Sequence, residues 1–341
     1  MAAPAVTGPI IKLNNGVSMP ALGFGTFANE GSKGETHKAV VSALNAGYRH
    51  LDCAWFYQNE GEVGSGMREF LSNNPSVKRE DVFITTKVWN HLHEPADVEW
   101  SLKDSLRMLQ TPYVDAFLVH WPIAAEKNPD NTVKIGSDGK VRSTSQIPKN
   151  KKFQRFAQYI IKKDLTENPE PTWRAMESLY SQGLAKSIGV SNWTEKGIAA
   201  LQSYAKVKPA VNQIEIHPFL PQYDLIKYCL SQDIVPVAYS PLGSQDQVPG
   251  TGEKVSTNKD LNAIAEKNGV TIAQTLIAWG LKRGYAVLPK SSNPGRILSN
   301  AKLITLSEED FEAVNKVAEG RKSRFVNMKD TFGYNVWPEE A

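Results

Sequence analysis

Four polar residues have the types and spacing for acid–base work on a carbonyl group: Asp52, Tyr57, Lys87 and His120. An ordinary tyrosine, with a pKa of ~10, exchanges its proton poorly at neutral pH. A nearby ammonium stabilises the phenolate and lowers that value, at about 1.36 kcal/mol per unit. Lys87 is the candidate ammonium, and Asp52 is the group that can hold it and offset its desolvation. His120 can donate to the substrate oxygen and orient it. Taken singly, Asp52 reads as a helix cap, Tyr57 as a packing residue and His120 as a satisfied core histidine. Lys87 resists such a reading, because Val82–Trp89 reads as a buried strand and an unpaired buried ammonium costs several kcal/mol. Metal chemistry is the competing use of Asp and His. No HExxH or CxxC spacing occurs, and the one HxH, His91-Leu92-His93, has no third ligand nearby. It reads as surface loop, so no metal site is expected.

These groups need a scaffold that gathers strand ends on one rim. Eight apolar, β-rich runs read as strands: Leu22–Thr26, Tyr48–Ala54, Val82–Trp89, Ala116–His120, Ala185–Ser191, Ala210–His217, Val235–Ser240 and Ala286–Lys290. Segments with helical spacing separate them, such as His37–Ala46, Ala96–Leu109 and Trp173–Tyr180. Such alternation predicts parallel βαβ units. Eight largely continuous apolar runs predict a closed (β/α)8 barrel, an α/β fold covered by helices. A doubly wound open sheet would need a Gly-rich turn after its first strand, and Gly23-Phe24-Gly25-Thr26 lacks the third glycine. Asp52, Tyr57, Lys87 and His120 lie at or just past the ends of three consecutive strands, where barrels of this class carry function. Gly61, Gly64 and Gly66 mimic a dinucleotide fingerprint but fall inside a predicted helix, in the wrong order.

Other boundaries are legible. Ile10–Leu13 and Val17–Leu22 read as a hairpin closing one barrel end, with Asn15-Gly16 supplying the positive φ angles of its turn. Ser307 reads as the cap of a helix opening Glu308-Glu309-Asp310 and running through Ala318, an element beyond the last strand. The tail, about 321–341, carries Phe332, Tyr334 and Trp337 and is expected to drape over the barrel mouth. The loop at about 122–170 is too long for a plain connection. It holds ten Lys or Arg between Glu126 and Asn168 against five acids, which suits a solvated insertion and a substrate lid equally.

The bulk properties narrow the classes. The 341 residues are 41% hydrophobic and 22% charged, ordinary globular composition that one barrel domain can absorb. A net charge of +3 is too small to argue for nucleic acid or an anionic membrane. No apolar run reaches the roughly 20 residues of a transmembrane helix. Met1–Pro9 lacks the basic and apolar regions of a secretory signal, and two cysteines, Cys53 and Cys229, cannot make a disulfide framework. A cytoplasmic monomer acting on a small molecule is expected.

The longer motifs carry a resemblance. Ala46-Gly47-Tyr48-Arg49-His50-Leu51-Asp52-Cys53-Ala54, then Tyr57-Gln58-Asn59-Glu60, Thr86-Lys87-Val88-Trp89, Leu118-Val119-His120-Trp121-Pro122 and Ser187-Ile188-Gly189-Val190-Ser191-Asn192 follow one another as in the aldo-keto reductase superfamily. The resemblance runs from about Gly16 to Glu319. It implies a tetrad of Asp52, Tyr57, Lys87 and His120, with Tyr57 the acid in reduction and its phenolate the base in oxidation. It also implies NADPH/NADP+, with Ser191, Asn192 and Gln213 at the nicotinamide carboxamide and Tyr239 stacked on the ring, ahead of Ser240 and Leu242. Gln213 beside Asn212 in a strand already needs partners from its residue type alone.

At the adenosine end, Lys290 to Asn300 follows a strand and opens a helix, a geometry that offers backbone N–H groups to an anion. The family likeness puts Lys290, Ser291, Asn293, Arg296 and Asn300 on the 2′-phosphate and adenine, favouring NADPH over NADH. Ser299 stands where the family often has Glu. Phe27, Trp55, Phe56, Trp89 and Trp121 are expected to wall the substrate pocket. The long loop and the ending Phe332-Gly333-Tyr334-Asn335-Val336-Trp337-Pro338 are similar to the family's fungal polyol-related branch, the glycerol dehydrogenase type. That branch implies glyceraldehyde or dihydroxyacetone, with xylose, arabinose and galacturonate as competitors. Members also serve as NADPH-binding regulatory subunits, a role that an intact tetrad argues against.

Overall fold

A computed structural model describes residues 5, 8–28, 34–136, 158–244 and 252–338. An antiparallel hairpin, β1 (Ile10–Lys12) and β2 (Ser18–Pro20), precedes eight parallel strands. These are β3 (Phe24–Gly25), β4 (His50–Asp52), β5 (Phe83–Val88), β6 (Ala116–Val119), β7 (Ile188–Ser191), β8 (Val211–Glu215), β9 (Val235–Tyr239) and β10 (Ala286–Val287). They lie side by side in chain order. The sheet closes where Gly23 N–H donates to Val287 O at 2.9 Å and Val287 N–H to Ala21 O at 2.7 Å. Each expected strand is present, though the ladder occupies only part of each apolar run.

The helices of the units are α1 (Glu35–Asn45), α2 (Glu60–Asn73), α3 (Pro95–Leu109), α4 (Lys163–Glu167), α5 (Glu170–Ser181), α6 (Glu195–Tyr204) and α7 (Tyr223–Ser231). They continue with α8 (Lys259–Lys267), α9 (Ile272–Lys282), α10 (Pro294–Ala301), α11 (Glu308–Ala318) and α12 (Lys329–Phe332). Ser307 caps α11 as expected, accepting from Asp310 N–H at 3.0 Å.

The strands look uniformly apolar because both faces are covered, but they sort by parity. Leu51, Ile84, Phe117, Val119, Ile188, Val190 and Ile214 join the core between sheet and helices. Phe83, Ala116, Leu118, Val211, Val235, Val237, Ala286 and Leu288 form a second, inner cluster with Leu13, Met19 and Ala21 from the hairpin. Side chains alternate along a strand, so Asp52, Lys87, His120, Gln213 and Tyr239 share the inward parity of that inner cluster. The barrel interior is therefore apolar toward its N-terminal end, where the hairpin plugs it, and polar toward the other rim. Asn14 and Asn15 fasten the plug to Pro209 O and Lys186 O, each at 2.9 Å. Its turn differs from the expected two-residue type. Only Gly16 has positive φ, 85°, and Leu13 N–H donates to Val17 O, the geometry of a type I turn ending in a glycine bulge.

The long loop has regular contacts of its own. Within its described parts, isolated antiparallel bridges join Ala125 to Ile161 and Ile135 to Tyr159, and α4 follows. Much of its basic surplus falls within 137–157, outside the described residues. The tail crosses the C-terminal rim as expected, with Phe332 and Trp337 buried against Trp89, Trp121 and Ile123, while Tyr334 is exposed. Residues 339–341 lie outside the description.

The glycines of α2 serve packing. A Cβ on Gly64 would lie 2.6 Å from the carbonyl of Leu109, and one on Gly66 2.9 Å from His37 O. Gly64→Ala is expected to cost about 1–3 kcal/mol in urea unfolding by forcing α2 off α3. Cofactor affinity of the folded fraction should stay unchanged; weakened dinucleotide binding at intact stability would contradict this packing role.

Candidate active site

Lys87 is fully buried near the end of β5. Its ammonium donates to both carboxylate oxygens of Asp52 at 2.9 Å and to Cys53 O at 2.8 Å. It lies 3.4 Å from the Tyr57 hydroxyl. The pairing follows from adjacent parallel strands, with Asp52 of β4 in register with Thr85 of β5. Gln213, arriving from β8 across the barrel, donates to Asp52 Oδ1 at 2.7 Å. Asp52 thus accepts from two sides of the interior.

Tyr57 sits on a single 3-10 turn, Trp55–Tyr57, directly after β4. That turn ends on Gln58, whose φ of 53° re-aims the chain into α2. Asn59 ties the segment to the end of β3 by donating to Thr26 O at 2.8 Å, and Thr26 Oγ donates to Asp52 O at 2.8 Å. The His120 ring meets Tyr57 at 5.9 Å and Trp89 at 4.9 Å between centroids, edge to face in both cases. The structure therefore brings Asp52, Tyr57, Lys87 and His120 together on one rim.

The electrostatics correct one expectation. Burial pushes the Tyr57 hydroxyl well above its ordinary pKa, and Asp52 pushes it further. Lys87 does not reverse this in the resting protein, because its charge is already matched by Asp52 at shorter range. Tyr57 is thus a stored proton, and Lys87 gains its full attraction only when that proton leaves. Burial, with Lys87 adding repulsion, holds His120 well below the usual imidazole range. Neutral His120 can donate a hydrogen bond without carrying charge.

The expected pocket residues divide. Phe56 stacks on Trp89 at 3.7 Å, Phe27 packs edge-on to Tyr57 at 5.2 Å, and Trp121 packs edge-on to Phe332 at 5.1 Å. Trp55 turns away: its indole N–H donates to Asp104 of α3 and its ring meets His91 and Trp100. A residue-type pattern could not tell which of three consecutive aromatics faces inward. His91 and His93, read as surface loop, are buried. His91 Nε2 pairs with Asn131 O, and Thr172 donates to His93 O. Among the described residues no cluster of His, Cys, Asp or Glu could hold a metal, and no helix is long and apolar enough to cross a membrane.

The expected cofactor residues form two groups. Ser191 ends β7 and Asn192 follows it, Gln213 lies on β8, and Tyr239 ends β9. Tyr239 donates to Asn192 Oδ1 at 2.8 Å, Asn192 Nδ2 donates to His120 O at 3.0 Å, and Ser191 Oγ donates to Gln213 O at 2.8 Å. Positive φ at Asn192 (65°) and Ser240 (48°) turns the chain out of its strands at this rim, and Leu242 packs half-buried nearby. Amides and a hydroxyl held this way fit a carboxamide, and the Tyr239 ring fits a flat aromatic partner. In the second group, Asn293 caps α10 by accepting from Arg296 N–H at 3.0 Å, and Ser291 Oγ accepts from the Arg296 guanidinium at 3.2 Å. Lys290 and Arg296 are exposed, Ser291 and Asn300 buried. Two cations around a capped helix N-terminus fit a phosphate.

Some functional neighbours carry no role in the sequence reading. Glu60, at the start of α2, is buried and accepts from Thr86 and Ser105 at 2.5 and 2.8 Å, bracing the turn that presents Tyr57. Its place in Tyr57-Gln58-Asn59-Glu60 was the available signal. Glu215, His217 and Arg324 had none, because Glu215 and His217 meet the segment 324–326 about a hundred residues later in the chain.

A closed parallel barrel with this rim is the architecture of the aldo/keto reductases. The Aldo/keto reductase family model matches residues 21–319, and the chain belongs to that family. It is 63% identical over 328 residues to glycerol 2-dehydrogenase (NADP(+)) of Hypocrea jecorina, covering 96% of this chain and 98% of that one. Aldo-keto reductase family 1 member A1 of Mus musculus is 38% identical over 318 residues, 91% of this chain and 90% of that one. Among solved structures, the Bombyx mori aldo-keto reductase in complex with NADP superposes with a TM-score of 0.80 at 33% identity, covering 98% of this chain and all of that one.

Burial of neutral histidines gives the site an acid limit. Burial lowers His50, His91 and His120, and pushes His93 down to about 3. Each folded-state pKa lies below the unfolded value, so the unfolded chain binds the extra proton. Stability is therefore complete above pH 6.5 and lost as pH falls toward 3. His93 alone should cost about 2 kcal/mol at pH 5. Tm is expected to drop steadily from pH 7 to 5, and His93→Gln should flatten part of that slope; an identical slope would refute the assignment.

Proposed function

We propose that this chain is an NADPH-dependent oxidoreductase that reduces an aldehyde or ketone to an alcohol, reversibly, with Tyr57 as proton donor. The observation that carries this reading is the Lys87 ammonium, buried on Asp52 and 3.4 Å from the Tyr57 hydroxyl. A packing lysine would not be placed there at such desolvation cost. When bound, NADPH supplies the hydride; the protein must orient the carbonyl, give up a proton and exclude water. His120, neutral and beside Tyr57, positions the carbonyl oxygen. Tyr57 then transfers its proton to that oxygen as negative charge develops, and Lys87 stabilises the phenolate left behind. In alcohol oxidation the phenolate accepts the proton. Asp52 acts through Lys87 by fixing the ammonium.

Ser191, Asn192, Gln213 and Tyr239, with Ser240 and Leu242, hold the nicotinamide half of the cofactor. Lys290, Ser291, Asn293, Arg296 and Asn300 hold the adenosine 2′-phosphate half. Phe27, Phe56, Trp89 and Trp121 wall the substrate pocket. The 63% identical relative is a glycerol 2-dehydrogenase using NADP(+), which supports glyceraldehyde or dihydroxyacetone as the carbonyl and glycerol as the alcohol. Two buried free thiols, Cys53 and Cys229, suit a reducing cytoplasm, and we read the chain as a monomer there.

Tyr57→Phe keeps the ring and removes the proton. It is expected to lower kcat for glyceraldehyde reduction by about 10²–10⁴-fold while NADPH still binds, as read by fluorescence titration. Undiminished turnover would exclude Tyr57 as the acid. Arg296→Ala should raise KM for NADPH by about tenfold or more and leave that for NADH nearly unchanged. Equal effects on both cofactors would remove the 2′-phosphate role.

A further inference from the structure

Glu215 is a fully buried carboxylate that the proposed chemistry does not use. It ends β8, two residues beyond Gln213 and on the same inward face. Its Oε1 accepts from His217 Nε2 at 2.8 Å and from Phe325 N–H at 2.7 Å; Oε2 accepts from Val326 N–H at 2.9 Å. Arg324 Nη1 lies 3.9 Å from Oε2. Every group aimed at this side chain is a donor, which an acceptor-only carboxylate satisfies and an amide cannot. Phe325 and Val326 belong to the tail that crosses the barrel rim, so Glu215 sets where that tail begins its crossing.

The consequence appears at the far end of the tail. The Arg324 guanidinium lies over the Trp337 ring, 3.5 Å from its centroid. Trp337 packs on Trp121 at 5.7 Å, and Phe332 packs on Trp121 at 5.1 Å and Trp89 at 6.2 Å. Trp89 in turn touches His120. A continuous set of contacts thus runs from one carboxylate on β8, through Arg324 and the 325–326 backbone, to the aromatic wall facing the proposed carbonyl site.

We propose that Glu215 is a positioning residue for substrate, pinning the tail so that Arg324 clamps Trp337 and the tail aromatics complete the pocket wall. This rests on the proposed carbonyl reduction for its kinetic readout, and on the tail itself for a second one. Glu215→Gln sets an N–H₂ group against one of the three donors. It is expected to raise KM for the carbonyl by about tenfold with kcat within about threefold, and to leave NADPH affinity unchanged. In the cofactor-free protein it should speed tryptic cleavage after Lys329, which is exposed within α12. Trp337→Ala should reproduce the KM effect, and the double variant should be clearly less than additive. Arg324→Met keeps an acceptor for the 325 and 326 N–H groups, so it reads the clamp even if Glu215→Gln does not fold. It should raise KM in the same way.

A plain structural anchor would lower Tm while KM and the Lys329 cleavage rate of the folded protein stayed as in wild type, and that result overturns the proposal. So would additive KM effects of Glu215→Gln and Trp337→Ala, or an Arg324→Met variant with wild-type KM. If the wild-type chain reduces no carbonyl, the functional reading fails, and the Lys329 cleavage rates of Glu215→Gln and Arg324→Met, unchanged or raised, still decide whether the tail is pinned this way.

Discussion

The ammonium of Lys87 inside the barrel is the constraint around which the rim is organised. An uncompensated charge at zero exposure is one of the costliest groups a fold can hold, and losing one partner of such a pair typically costs about 3–5 kcal/mol. Asp52 answers it with both oxygens and Cys53 with a carbonyl. That answer is available only if β4 and β5 run parallel in this register. Asp52 has acceptor capacity left, and Gln213 fills it from β8. The pair therefore depends on the near strands for its geometry and on barrel closure for its completion.

The same pair explains why Tyr57 is best described as a guarded proton. Burial and Asp52 favour the neutral phenol, which is the form that can donate. The ammonium beside it is neutralised in the resting state and becomes an attractive partner as charge forms on the phenol oxygen. Preorganised charge of this kind needs no reorganisation when the proton moves. The neutral imidazole of His120, kept so by burial and by Lys87, completes the proposed site of one stored proton and one fixed donor.

Legibility in the sequence followed the range of the interactions involved. The eight strands were readable because a strand covered on both faces is apolar along its length. The cap at Ser307 and the hairpin were readable because turns and caps are local chemistry. The turn type is not legible there, because Asn15 and Gly16 can share or divide the positive φ, and only the pairing of Leu13 with Val17 decides. The burial of His91 and His93 is not legible, because two histidines in a loop look solvated until Asn131 and Thr172 are brought over them.

Residue types alone, then, determined the alternation of strand and helix, the family, and the four polar groups at strand ends, because these are encoded in contiguous motifs. Tertiary structure decided which groups meet. It sent Trp55 to α3 and Phe56 onto Trp89, although they are neighbours in the chain. It placed Glu215 beneath the tail more than a hundred residues later. It also reversed the expected direction of the Tyr57 shift, since the balance between burial, Asp52 and Lys87 depends on distances that no spacing along the chain contains.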